Sequence, residues 1–224
     1  KFLDFFLIYC IMIFSLIKNI IFDWGGVITD LCYECCRNKF LELGVKDFSK
    51  NYMDLLSNPI FSEFETGKIS ENQFREFIRS NSTNQLTNDD IDNAWCKMLG
   101  DTPTQRIELL QNLNKRYKTI LMSNTNNIHV RYYTNYLKEK FGLDSFENIF
   151  HKVYFSHIIG LRKPDKKFFE YILEENKLNP SETLFLDDSP QNIESASSIG
   201  INSILITKNN PIEKLFNNKN LQFS

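Results

Sequence analysis

Short unbroken apolar runs recur through the second half of the chain, each followed by residues at helical spacing, whereas residues 27–100 carry helical spacing alone. Near the start, Ile20-Ile21-Phe22 runs into Asp23-Trp24-Gly25-Gly26-Val27. An apolar run that stops at an aspartate and two glycines reads as a buried parallel strand ending in a tight loop. Past residue 100 the pattern predicts helices over 106–113, 130–141, 168–173 and 192–200, and strands over 117–122, 152–156, 183–186 and 202–206. Residues 159–165 read as a loop in which Pro164 is placed to start the next helix. Strands separated by helices predict an α/β fold built on a doubly wound parallel sheet.

The stretch between the first strand and residue 100 reads differently. A helix ends at Gly44, a short amphipathic segment covers 47–56, and Ser70 with Gln73 forms a capping box. That box opens a helix with Phe74, Phe77 and Ile78 on one face, and Thr87 opens another with Ile91, Ala94, Trp95 and Met98 inward. The block is too long for a plain crossover. It is expected to be a helical cap over 31–100, inserted into a core made of 17–30 and 101–224. Residues 2–17 are almost entirely apolar but fall short of the roughly 20 residues of a membrane span. They carry Asp4 within, a single preceding lysine and no small-x-small cleavage site. With Met12 a candidate start, residues 1–11 are expected to be extraneous to the fold. Residues 1–16 form an extra apolar N-terminal segment, and no membrane association is expected unless residues 1–17 are a genuine anchor.

Composition narrows the function classes. A formal net charge of -2 with no basic block argues against a nucleic-acid partner. The five cysteines are unevenly placed, which argues against a disulfide framework and for a reducing, cytoplasmic compartment. Cys32, Cys35 and Cys36 lie together, but no second Cys/His pair at ligand spacing follows, so they read as small residues on an early helix rather than half a zinc site. Nothing in the sequence speaks to oligomeric state.

Candidate chemistry lies where the strands end. Asp23 follows the first strand, Ser123-Asn124 the second, Lys163 the loop after the third, and Asp187-Asp188 the fourth. Alone, each has an ordinary reading as a turn residue, a solvated helix start or a helix cap. A parallel sheet, however, gathers its strand ends along one edge. Three carboxylates then share a crevice, which raises their pKa values unless a cation sits among them. An oxygen-only donor set suits Mg²⁺. Ser123, Asn124 and Lys163 are donors for an anion, and the combination describes phosphoryl transfer.

Asp23-x-Gly-Gly-Val, Ser123-Asn124-Thr125, Arg162-Lys163-Pro164 and Phe185-Leu186-Asp187-Asp188-Ser189-x-x-Asn192-Ile193 resemble, in order, the four motifs of the haloacid dehalogenase superfamily. They look most like its small sugar-phosphate phosphatases of the α-glucose-1-phosphatase type, and Phe64-Glu65-Thr66-Gly67-Lys68-Ile69-Ser70 looks like that subgroup's lid. The likeness covers about residues 17–207. It implies a Rossmann-like core with Asp23 as nucleophile, forming an aspartyl-phosphate. Ser123, Asn124, Lys163 and backbone N–H groups after Asp23, Gly26 among them, would bind the phosphate of a small metabolite. Asp23, Asp188 and the carbonyl of Gly25 would hold Mg²⁺, with Asp187 a neighbouring or alternative ligand. One departure stands out: most phosphatases of the superfamily carry an acid/base Asp where this chain has Gly25. Two other functions compete. A metal-independent dehalogenase would leave Asp187-Asp188 without a job, and a protein that binds a phosphate ligand without turnover would account for Gly25. Receiver domains place their acidic pair first, are about half this length, and lack the helical insert.

Overall fold

A computed structural model describes residues 16–46 and 58–217 of the chain. The expected amphipathic segment over 47–56 and residues 1–15 of the apolar N-terminus lie outside them. The first strand, β1 (Asn19–Phe22), is buried along its whole length, which is why its sequence is an unbroken apolar run rather than an alternation. Among the described residues, four helices follow: α1 (Tyr33–Glu42), α2 (Pro59–Glu65), α3 (Glu71–Ser80) and α4 (Asn88–Cys96). Both α3 and α4 start with capping boxes, on Ser70 with Gln73 and on Thr87 with Asp90. The chain then alternates: α5 (Thr104–Asn114), β2 (Lys118–Ser123), α6 (Asn127–Phe141), β3 (Lys152–Phe155), α7 (Ser156–Ile159), α8 (Lys166–Asn176), β4 (Thr183–Asp187), α9 (Pro190–Ser197), β5 (Asn202–Leu205) and α10 (Ile212–Asn217).

The five strands pair in parallel in the order β3-β2-β1-β4-β5. Successive strand residues point to opposite faces. Ile20, Phe22, Leu121, Leu184 and Leu186 therefore enter one apolar layer, while Ile21, Ile120, Met122 and Phe185 enter the other with Phe168, Phe169 and Ile172 of α8. The inserted helices have a third apolar cluster, in which Phe61, Phe64, Phe74 and Trp95 pack ring on ring. Among the described residues, no helix is long and apolar enough to cross a membrane.

Three readings of the sequence are corrected. Cys32 and Cys35 are joined by a disulfide, with Cα atoms 5.3 Å apart, where unpaired thiols were expected. Cys32 is the N-cap of α1 and Cys35 lies in its first turn, and a spacing of three puts both side chains on one side of the helix. The pair closes a single local loop, and Cys36 and Cys96 remain free and buried. Pro164 does not start α8: the Lys163–Pro164 peptide is cis, and Asp165 caps the helix by accepting from the Lys167 N–H. Ser156, read as the end of a strand, opens the short helix α7 instead.

Candidate active site

In the register of the sheet Phe22 lies beside Leu121 on one side and Leu186 on the other. The next residue, Asp23, thus emerges between the ends of β2 and β4, and its N–H extends the ladder to the Leu186 carbonyl at 2.9 Å. Ser123 ends β2 and Asp187 ends β4, so three of the expected positions meet on one edge by register alone.

Lys163 binds this edge together. Its side chain is 1% exposed, and Nζ lies 2.9 Å from Asp23 Oδ1 and 2.6 Å from Asp187 Oδ2. Burial works against its charge, but Asp187 and Asp23 outweigh it and hold its pKa above the ordinary lysine value. Asp23 Oδ1 also accepts from the Trp24 N–H at 2.7 Å. Oδ1 is therefore engaged twice, whereas Oδ2 has no protein donor among the described residues. Asp187 is saturated: Oδ1 accepts from Ser189 N–H at 2.8 Å and from Asn192 Nδ2 at 2.9 Å, while Oδ2 takes Lys163. Asp188 instead opens onto the cavity.

Asp23, Asp187 and Asp188 offer oxygens that lie within 4.8 Å of one another. Burial pushes Asp23 up to about 8, with Lys163 opposing and Asp187 and Asp188 adding to the rise. Burial and the neighbouring Asp187 push Asp188 up to about 6. Lys163 alone does not offset three carboxylates, and a hard dication among oxygen donors would, so the donor set fits Mg²⁺. Gly26 leaves room for Asp188, because a Cβ there would lie 2.1 Å from its Oδ2.

The other expected residues divide. Ser123 borders the cavity, and its hydroxyl has no hydrogen-bond partner among the described residues. Asn124 borders it too, but its amide clamps the Lys163 backbone, donating to the carbonyl and accepting from the N–H, both at 2.9 Å. Asn124 thus fixes the loop that carries the lysine, and one hydrogen of Nδ2 is left over for the expected anion. The expectation for Gly26 differs: its N–H donates to the Thr29 carbonyl at 2.8 Å, whereas the Gly25 N–H has no acceptor among the described residues. Sequence reasoning missed Ser156, whose hydroxyl accepts from Thr125 N–H at 2.9 Å and donates to its carbonyl at 3.1 Å, tying the loop after β2 to the end of β3. It also missed His129, which stacks on Trp95 at 4.9 Å across the seam between α6 and α4. No local pattern marks either contact.

Above these groups lies a cavity of about 650 Å³, reaching from Asp23 to Leu31, Tyr33, Glu65 and Trp95 of the inserted segment. Its floor is acidic and cationic, its upper walls mostly apolar.

The comparisons with known proteins agree with this geometry. The chain is 30% identical over 187 residues to the D-ribitol-5-phosphate phosphatase of Bacteroides thetaiotaomicron, an alignment covering 83% of this chain and 89% of that one. It is 26% identical over 192 residues to a sesquiterpene phosphatase of Aspergillus oryzae, covering 85% and 90%. A crystal structure of a haloacid dehalogenase family enzyme from B. thetaiotaomicron, in complex with magnesium and inorganic phosphate, superposes with a TM-score of 0.80 at 30% identity, covering 89% of this chain and 99% of the other. Residues 17–200 match the haloacid dehalogenase-like hydrolase family, and the chain belongs to it.

Proposed function

We propose that the protein is a Mg²⁺-dependent phosphatase that hydrolyses a small phosphorylated metabolite, a sugar or polyol phosphate, through an aspartyl-phosphate on Asp23. The observation that carries this reading is the placement of Lys163 Nζ between Asp23 and Asp187, beside Asp188 and the unpartnered Ser123 hydroxyl. Asp23 Oδ2 is the attacking atom, since Oδ1 is held by Lys163 and Trp24. It bonds to phosphorus as the ester oxygen departs with the electron pair of the broken P–O bond and takes a proton from solvent. Water then attacks phosphorus and gives up a proton to solvent as the Asp23–phosphorus linkage breaks, which releases phosphate and restores the carboxylate. Lys163, Ser123 and the Gly25 N–H hold the phosphoryl oxygens. Asp23, Asp188 and the Gly25 carbonyl hold the metal, and Asp187, with no free oxygen, orients Lys163. Bound Mg²⁺ supplies positive charge to the phosphoryl oxygens in the transition state. The helices over 31–100 act as the cap that excludes water from the site.

Two relatives support phosphate ester hydrolysis but differ in the carried group, one a polyol phosphate and the other a sesquiterpene. The apolar walls favour the second as an alternative for substrate class. The test is phosphate release from a panel of sugar, polyol and terpenyl phosphates, with Mg²⁺ and with chelator. Turnover that chelator abolishes and Mg²⁺ restores is expected. Binding without release anywhere in the panel contradicts the proposal.

A further inference from the structure

The phosphatase reading assigns the floor of the cavity and leaves the polar groups of its walls without a role. A wall for a hydrocarbon chain needs no polar group, and any buried one there is a penalty. This wall holds an ion pair. Arg162 donates from Nε at 3.1 Å and from Nη2 at 2.8 Å to the same oxygen, Oε2 of Glu65. The Glu65 side chain is 6% exposed and Arg162 23%. Both guanidinium bonds converge on one oxygen, so Nη1 has no acceptor among the described residues. Trp95, in the same wall, buries its indole N–H without an acceptor among them as well. The Trp95 N–H is buried and the Arg162 Nη1 belongs to a side chain 23% exposed at the cavity wall, and donors so placed are met by oxygen, from a ligand or from water. As a latch between α2 and the core the pair has little reason to be charged, because well-packed apolar residues seal such a seam as stably.

We propose that Arg162, held in orientation by Glu65, is the distal anchor of the substrate and reads its hydroxyl oxygens. The inference rests on the phosphatase reading and restricts it to phosphates of hydroxylated carbon chains. Arg162 precedes Lys163 in the chain, so the distal anchor and the lysine at the nucleophile ride on one loop, which Asn124 clamps. The spacing between phosphate and hydroxyls is thereby fixed by the backbone. Tyr33, Trp95 and Leu99 then cover the C–H faces of a polyol or sugar.

The test uses the full chain with Mg²⁺ and three probes: D-ribitol 5-phosphate, p-nitrophenyl phosphate and a sesquiterpenyl phosphate. Arg162→Met keeps the length of the side chain and removes its donors. It is expected to lower kcat/KM for the ribitol ester by about 10- to 100-fold, mainly through KM. The nitrophenyl ester, with no hydroxyl to read, should change less than about threefold, and the terpenyl ester should improve. Glu65→Gln keeps the shape, loosens the guanidinium, and should show the same pattern more weakly. An equal loss on all three probes, or loss of activity altogether in both variants, makes the pair a latch and overturns the inference. So does an unchanged ribitol ester KM. A wild type active on the nitrophenyl ester with either of those patterns leaves the phosphatase reading standing, whereas a wild type inert to every probe removes both.

Discussion

A Cβ atom at Gly26 would lie 2.1 Å from Asp188 Oδ2, on a backbone at φ +73° that side chains rarely adopt. A Cβ at Gly25 meets only the tip of Leu31, at 3.0 Å, and Leu31 is 45% exposed and free to give way. The two adjacent glycines therefore carry different constraints. Gly26→Ala is expected to destabilise by about 1–2 kcal/mol and to raise the Mg²⁺ concentration needed for half-maximal activity, because it displaces a proposed ligand. Gly25→Asp is expected to fold within about 0.5 kcal/mol of wild type. It also puts a carboxyl group where the leaving oxygen now has only solvent as a proton donor, and general acid help is worth about 10²–10⁴-fold. Rates across aryl and alkyl phosphates of differing leaving-group pKa should fall steeply in wild type and less steeply in Gly25→Asp. A flat wild-type dependence would show that another acid serves the site. Residues of this kind were legible in the sequence, since Asp23, Ser123, Lys163 and Asp188 each sit just past an apolar run or in the loop that follows one. The jobs of Asn124 and Gly26 were not, because hydrogen bonds to Lys163 and Thr29 appear only once the loops are folded.

At the scale of elements, the alternation of runs and helical segments after residue 100 located β2 to β5 within a residue or two. The strands β2 and β4 are buried almost throughout and must be apolar, while the edge strands β3 and β5 are only half-buried and were legible from their place between helical segments. The seam between the inserted helices and the core was invisible, because its contacts join residues far apart in the chain. His129 is its central group. Nε2 lies 3.3 Å from the Trp95 carbonyl and Nδ1 3.3 Å from Asn126 Nδ2, so the ring donates to the former and accepts from the latter as a neutral imidazole. Burial lowers its pKa from the ordinary 6.5 to about 3. Below pH 6.5 the unfolded chain takes up a proton that the folded chain refuses, so stability falls as pH falls from 6.5 towards 3. By pH 5 the loss reaches about 2 kcal/mol. Asp23 and Asp188, whose carboxyls are held above their ordinary values, act in the opposite sense over this range, so the readout is the difference. Urea unfolding at a series of pH values should show wild type losing about 2 kcal/mol relative to His129→Gln, which keeps a donor and an acceptor but does not titrate, between about pH 6.5 and 5. Parallel curves would mean that His129 is already charged in the folded state.

Across the whole molecule, the described residues tie the inserted helices to the core through several contacts, of which three are polar or aromatic and stand out. Arg131 of α6 meets Glu71 at 3.0 Å in an ion network that includes Arg75 and Asp92. Trp95 stacks on His129, and Glu65 pairs with Arg162. These ties hold the inserted helices beside the edge of the sheet where Asp23 emerges, and the cavity is lined from both sides. In the proposed reading they limit the access of water to the chemistry. The central claim is that Asp23 becomes phosphorylated. Rapid quenching of the protein during turnover of p-nitrophenyl phosphate with Mg²⁺, followed by mass spectrometry of the peptide containing Asp23, tests it most directly. The account predicts one phosphoryl group on Asp23, decaying as inorganic phosphate appears, with neither modification nor turnover in Asp23→Asn. Sustained phosphate release with the Asp23 peptide unmodified, and retained in Asp23→Asn, would contradict it.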